Sequence, residues 1–326
     1  MHYLPEGRKF RRSGRFRSIR RMRFTIGLPT DHVARADEFV NGEAVMECAR
    51  VAEESGFDAC FVTDHPAPDI KWLEGGGHHA LDPFVALSFA AAATTRLRVQ
   101  THILVLPYRN PLLTAKSVLS LDVLSGGRVI LGVAPGYLKP EFAALGVDFD
   151  ERNELTDEAI DVMRRIWTDG EIEVEGRNFR TRGTTMRPPT PQRPHPPIWV
   201  GGNSTAAIRR AAERGQGWVP FPNPPGVRAV RTPPLSDLDE LGRRIGVLRD
   251  HAAALGRTEP IDICFSPFSS GVSAMRDEVH ALEELGVTWM VLGAGIATTR
   301  AAWIDGARRI ADGVIAPYRA AAGRSS

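Results

Sequence analysis

An acid and an imidazole stand side by side in Thr63-Asp64-His65-Pro66, directly after a short apolar run at 59–62. Imidazole titrates near neutral pH, and a carboxylate beside it favours the charged form. The pair is therefore a candidate proton donor with its electrostatic partner; a structural Asp-His pair is the plain alternative. Ten residues on, Gly75-Gly76-Gly77-His78-His79 adds two more imidazoles. With His65 they invite a zinc reading. Adjacent histidines point in different directions, however, and no spaced carboxylate or helical i, i+4 pair accompanies them. A flexible substrate-side loop is expected there, and no metal. Gln100-Thr101-His102 interrupts the apolar run 97–105. Polar side chains in a buried strand need partners or a ligand, and a satisfied core histidine is the ordinary case. Finally, Gly201-Gly202-Asn203-Ser204 lets a backbone approach a ligand and then caps a helix, the geometry of a phosphate site and also of a simple turn.

These residues fall at the ends of short β-rich runs. Eight such runs are predicted, at 24–28, 59–62, 97–105, 129–133, 198–200, 218–219, 261–265 and 288–292. Most are apolar without alternation, as parallel strands covered on both sides are. Helical runs separate them, at 43–55, 82–93, 111–124, 152–167, 205–214, 235–255, 272–285 and 301–318. Asp82 and Pro83 start one helix, while Gly56, Gly215 and Gly286 stop others. Eight strands, each followed by a helix, predict an α/β chain folded as a (β/α)8 TIM barrel. An open doubly wound sheet would carry a Gly-rich loop after the first strand, where this chain has Leu28-Pro29-Thr30-Asp31. Segments 64–81, 169–197 and 220–234 are long for connectors. The middle one reads as a hairpin at 171–174 and 178–180 followed by a Pro-rich stretch. The outer two follow strands two and six and belong at the C-terminal mouth of the barrel.

The 326 residues are 43% hydrophobic and 25% charged, which excludes a collagen, a coiled coil or a wholly disordered chain. The longest apolar stretch, 83–93, is far short of a membrane span. The net charge of +2 hides an uneven distribution: residues 1–23 carry nine Lys/Arg against Glu6 alone. That leaves the remainder at a net −6. The basic segment has the composition of a nucleic-acid or anionic-surface arm. Nothing in it can pack a core, so the expectation is a disordered extension over 1–21, or a start annotated upstream of Met22, with no nucleic-acid partner. No apolar stretch follows its paired arginines, which points to a cytoplasmic protein. Cys48, Cys60 and Cys264 have no metal or disulfide spacing and read as buried thiols. The expected plan is the extension 1–21, one domain over 22–320 and a flexible 321–326.

Taken in order, the motifs resemble the bacterial luciferase-like family, in particular its coenzyme F-420 (F420) dependent oxidoreductase branch. The resemblance rests on Asp64-His65, the run from Gly76 to Phe84, and Leu106-Pro107-Tyr108-Arg109-Asn110-Pro111. It continues through Leu124-Ser125-Gly126-Gly127-Arg128 and closes on Pro196-Pro197-Ile198-Trp199-Val200-Gly201-Gly202-Asn203-Ser204. It is strong over about 22–220 and beyond that concerns the fold alone.

It implies a barrel that binds a deazaflavin or flavin at its mouth, transfers a hydride to or from a small organic substrate, and works as a homodimer. His65 would be the acid/base, with Asp64 beside it. His102 and Ile103 would form a bulge with a non-prolyl cis peptide behind the ring. Gly136 would lie against the cofactor, and Gly201, Gly202, Asn203 and Ser204 would take its phosphate. With FMN in place of F420, the same barrel would be an oxygen-activating monooxygenase. A non-catalytic ligand-binding barrel is the alternative of another class. Two departures stand out: Gly215-Gln216-Gly217-Trp218, where relatives have Gly-Asp-Gly-Trp after strand six, which implies the loss of one carboxylate near the site, and Ala134-Pro135-Gly136-Tyr137 after strand four.

Overall fold

The computed structural model describes residues 21–225 and 232–323, so the basic extension expected over 1–21 lies, Arg21 apart, outside the described residues. The strands in chain order are β1 (Arg23–Gly27), β2 (Ala59–Val62), β3 (Arg98–Val105), β4 (Val129–Ala134), β5 (Glu171–Glu175), β6 (Arg180–Thr185), β7 (Ile198–Gly201), β8 (Gly217–Val219), β9 (Asp262–Phe265) and β10 (Trp289–Leu292). Eight of them close into one parallel barrel in the order β1, β2, β3, β4, β7, β8, β9, β10, with β10 returning to β1. This is the expected TIM barrel. The remaining pair, β5 and β6, forms the antiparallel hairpin, whose second strand runs further than expected.

Alternate side chains of each strand point into the barrel. Ala59, Ile130, Trp199, Val219, Cys264 and Trp289 make an inner cluster, separate from the larger core between strands and helices. The Trp199 and Trp289 rings meet edge to face with centroids 5.2 Å apart. Gly217 makes room for this packing, since a Cβ there would fall 2.3 Å from Trp199. The Gly215–Trp218 run therefore serves the barrel interior. It also leads into the sixth barrel strand, with Gly215 and Gln216 before it and Gly217 and Trp218 at its start, whereas the sequence reading put the run after that strand. Gln216 sits at the N-terminal end, where its N–H donates to the Ile198 carbonyl and its Oε1 accepts from the Ile198 N–H. No carboxylate of the mouth is lost by the Gln.

The polar stretch of β3 is satisfied from within. Thr25 donates to the buried Gln100 at 3.4 Å, and the Gln100 amide lies 3.2 Å from His102 Nδ1. Burial pushes the His102 imidazole down to about 4 from its ordinary 6.5. The β3–β4 register shifts between Thr101 and Leu104, and the His102–Ile103 peptide is cis. Two glycines make space for this bulge. A Cβ on Gly132 would lie 2.2 Å from the Thr101 carbonyl oxygen, and one on Gly201 would lie 2.9 Å from Ile103 Cδ1.

Helix starts follow their caps: Asp82 accepts from Phe84 and Val85, Asn110 from Leu112, and each is followed by Pro. Three short helices at the strand ends escaped the sequence reading, namely Ala36–Phe39, Ile70–Glu74 and Lys139–Ala144. Each is too short for a hydrophobic period to show. The last helical run is broken by a π turn, and its final helix, Ala316–Gly323, includes residues 321–323; residues 324–326 lie outside the described residues. Among the described residues no helix is long and apolar enough to cross a membrane. Cys48, Cys60 and Cys264 are buried thiols.

Two tests follow from the packing and the β3 network. Gly132→Ala is expected to lower stability by about 1–3 kcal/mol, whereas Gly246→Ala, inside a helix with nothing near its added methyl, raises it by about 0.5–1 kcal/mol. Urea midpoints that move together would contradict the packing argument. The unfolded chain protonates His102 near 6.5 but the folded chain only near 4, so its contribution is complete above 6.5 and is lost as pH falls through that window. Between about pH 7 and about pH 5 the wild type should lose more stability than His102→Gln. Parallel curves would remove His102 from the account.

Candidate active site

β2 delivers Asp64 and His65 to the C-terminal rim. Asp64 is buried and fully engaged, accepting from the Val105 N–H at 2.9 Å and from both ends of the Arg109 guanidinium at 2.7 and 2.9 Å. Burial raises its carboxyl above the ordinary range, against the pull of Arg109 and the Val105 N–H. This bidentate pair ties the end of β2 to the end of β3.

His65 points the other way in chemistry. Its Nδ1 lies 3.2 Å from Oε2 of Glu141, a fully buried carboxylate on the short helix after β4. Glu141 also accepts the Ala67 N–H at 2.9 Å and the Tyr108 hydroxyl at 2.9 Å. Burial alone would raise its carboxyl, but the bonds from His65, Ala67 and Tyr108 hold it below the usual carboxylate range. An ionised carboxylate only accepts, so Nδ1 of His65 is the donor and Nε2 is the free nitrogen. Burial, and then Glu141, push the Tyr108 hydroxyl well above its ordinary value.

Three rings surround the imidazole: Trp72 at 4.4 Å between centroids, His78 at 5.0 Å edge on, and Tyr137 at 6.2 Å. Trp72 comes from Ile70–Glu74, a helix capped by Asp69. Of the two loop histidines only His78 joins His65, and His78 Nδ1 lies 2.9 Å from the His79 carbonyl oxygen. Among the described residues no group of three or more His, Cys, Asp or Glu could hold a metal ion.

The other expected site residues continue round the rim in the strand order β2, β3, β4, β7. His102 is half-buried against Phe61, with ring centroids 4.4 Å apart, and Ile103 packs on the inner cluster. Gly136 has φ +80°, and a Cβ there would fall 2.6 Å from Val105, so only glycine fits that turn. Gly201 lies beside Ile103, and Gly202 takes φ +113°. Ser204 accepts from the Ala207 N–H at 3.1 Å as the cap of Thr205–Arg214.

Asn203 is engaged differently from the expectation for a ligand-binding amide. Its Nδ2 donates to the carbonyls of Phe221 and Pro233, and its Oδ1 accepts from the Phe221 N–H. The amide braces the segment after β8. Any anion held at this corner would meet the backbone of Gly201, Gly202 and the first helical turn, with the Ser204 hydroxyl beside it. An isoalloxazine-like ring fits the remaining features, because Ile103, seated against Gly132 and Gly201 beside the inner cluster, is itself only partly buried.

Sequence reasoning missed Glu141 and the part played by Tyr108 and Arg109, while Trp72 and His78 of the 66–81 loop were legible as aromatic pocket residues. A Pro at the first turn of Lys139–Ala144 and the apolar Phe142 signal a short helix. A lone acid on it reads as solvated, and only barrel closure brings it against His65.

The chain matches the family model described as luciferase-like monooxygenase over residues 22–320. It is 33% identical over 263 residues to an uncharacterized Mycobacterium tuberculosis protein, covering 77% of this chain and 85% of that one. It is also 33% identical to the FMNH(2)-dependent dimethylsulfone monooxygenase of Pseudomonas putida, over 64% of this chain and 54% of the relative. To the F420-dependent glucose-6-phosphate dehydrogenase of Intrasporangium calvum the identity is 34%, over 57% and 55%. Among solved structures, monooxygenase RslO1 from Streptomyces bottropensis superposes with a TM-score of 0.74 at 23% identity, covering 91% of this chain and all of that one. The F420-dependent tetrahydromethanopterin reductase of Methanopyrus kandleri gives 0.70 at 17%, with 91% and 99% covered. The chain belongs to the luciferase-like monooxygenase family.

Proposed function

We propose that this barrel is a coenzyme F420-dependent oxidoreductase that moves a hydride to or from a small organic substrate at its C-terminal mouth. The observation that carries the reading is His65 held by the buried Glu141 carboxylate, with Nε2 left free inside a wall of aromatic rings. Hydride transfer at a carbon–oxygen bond releases or consumes one proton on the oxygen, and a fixed imidazole is suited to take or return it. When bound, the deazaflavin supplies a carbon centre for the hydride and lacks the ring nitrogen used in oxygen chemistry.

The residues that would hold it are Ile103 and His102 behind the ring and Gly136 at the side. Gly201, Gly202 and Ser204 would meet its phosphate. His65 then holds the proton on Nε2, and Glu141 stabilises the imidazolium that results. Trp72, His78 and Tyr137 keep water from that nitrogen and shape an aromatic substrate pocket. The likeness to the F420-dependent glucose-6-phosphate dehydrogenase supports this cofactor, while that to the FMNH(2)-dependent dimethylsulfone monooxygenase supports FMN and oxygen as the second reading.

Separate fluorescence titrations with F420 and FMN divide the two. Saturable F420 binding is expected, and tight FMN binding with none for F420 would overturn the cofactor choice. With the cofactor bound, His65→Ala should cut turnover by about 10²–10⁴-fold while leaving cofactor affinity in place. Undiminished turnover would remove His65 from the proton step.

A further inference from the structure

At the end of the barrel opposite His65, the starts of β1, β3 and β10 surround a cavity of about 420 Å³ whose lining includes Arg23, Arg96, Arg98 and Arg319. Two carboxylates share it, and the chain already uses both. Glu53 accepts the N–H groups of Thr95, Arg96 and Leu97 at 2.6 to 3.0 Å. Asp58 accepts the Phe24 N–H at 2.9 Å and pairs with Arg319 at 3.2 Å.

The other three arginines are short of partners. Among the described residues no carboxylate comes within ion-pair distance of Arg23, Arg96 or Arg98. The Arg23 guanidinium sits 5.3 Å from the centre of the Trp289 ring. Arg98 gives one nitrogen to the Val129 carbonyl and to Gln192, but its Nε is buried with no hydrogen-bond partner. Burial and the nearby Arg23 both work against the Arg98 charge, with Asp262 and Asp122 favouring it from further off. Like charges converging on a cavity, one with an unmet buried donor, are costly unless an anion lies among them. Nor is negative charge abundant in the sequence that leads here: residues 1–20 carry seven Lys/Arg and one Glu.

We propose that this cavity is an anion site that takes a phosphate group, either as the free ion or as the monoester of a small molecule. Four arginines against two carboxylates leave a charge of +2, which a phosphate dianion balances. The guanidinium fork matches phosphate oxygens in both spacing and direction. The site lies at the strand starts, away from the rim that carries His65, and a ligand there stabilises the folded barrel by mass action.

Titration calorimetry on the full chain tests this, with inorganic phosphate and glycerol 3-phosphate as probes at matched ionic strength. Saturable heat is expected from at least one probe. Arg23→Gln and Arg96→Gln, both at exposed side chains, should each weaken it roughly tenfold. Ser204→Ala at the opposite rim should leave it unchanged. The tighter probe tells free phosphate from ester. No saturable heat, or heat that survives both arginine substitutions, overturns the site, as does loss of binding in Ser204→Ala alone.

Discussion

Glu141 is a carboxylate with no exposed surface, and such a group is tolerated only when its charge is met on every side. Here the partners come from two segments, His65 and Ala67 after β2 and Tyr108 after β3, and the acid itself from a third, the helix after β4. Removing any one leaves part of a buried charge unpaired, so the three loops are held in one arrangement. The same constraint sets which nitrogen of His65 carries a proton. Asp64 and Arg109 repeat the device one residue earlier, joining β2 to β3 through a bidentate pair. The acid next to the histidine in sequence thus positions the rim, and the acid that faces the imidazole lies 76 residues away.

Beneath that rim the barrel interior is built from unequal side chains. Trp199 and Trp289 fill the lower layer, which Gly217 must vacate for the first of them. Higher up, Gly132 and Gly201 give Ile103 its place beside the β3 bulge. The large rings therefore plug one end, and Ile103, seated against glycine backbone, lies toward the other. This division suits a fold whose chemistry is carried by loops at the strand C-termini and whose opposite face serves stability.

The strands were legible because each is a short apolar run bounded by turn residues; 59–62 in the sequence is Ala59–Val62 in the structure. Long helices were legible from their caps, as at Asp82 and Asn110. Local residue types said less about the site. Asn203 has the composition of a ligand-binding turn, yet its amide is spent on the chain segment after β8. Gln216 looked like a substitution near the chemistry because motif order carries no indication of which end of a strand a residue occupies. Glu141 was invisible for a related reason: its burial is created by contacts across sequence separations that no local pattern encodes.

Selective 15N labelling of histidine, with His65→Ala to assign the signal, reads the His65 tautomer directly by NMR under basic conditions where the ring is neutral. Glu141 as an ionised acceptor predicts the Nδ1–H tautomer, with Nε2 unprotonated and free toward the mouth. A dominant Nε2–H tautomer would contradict the account.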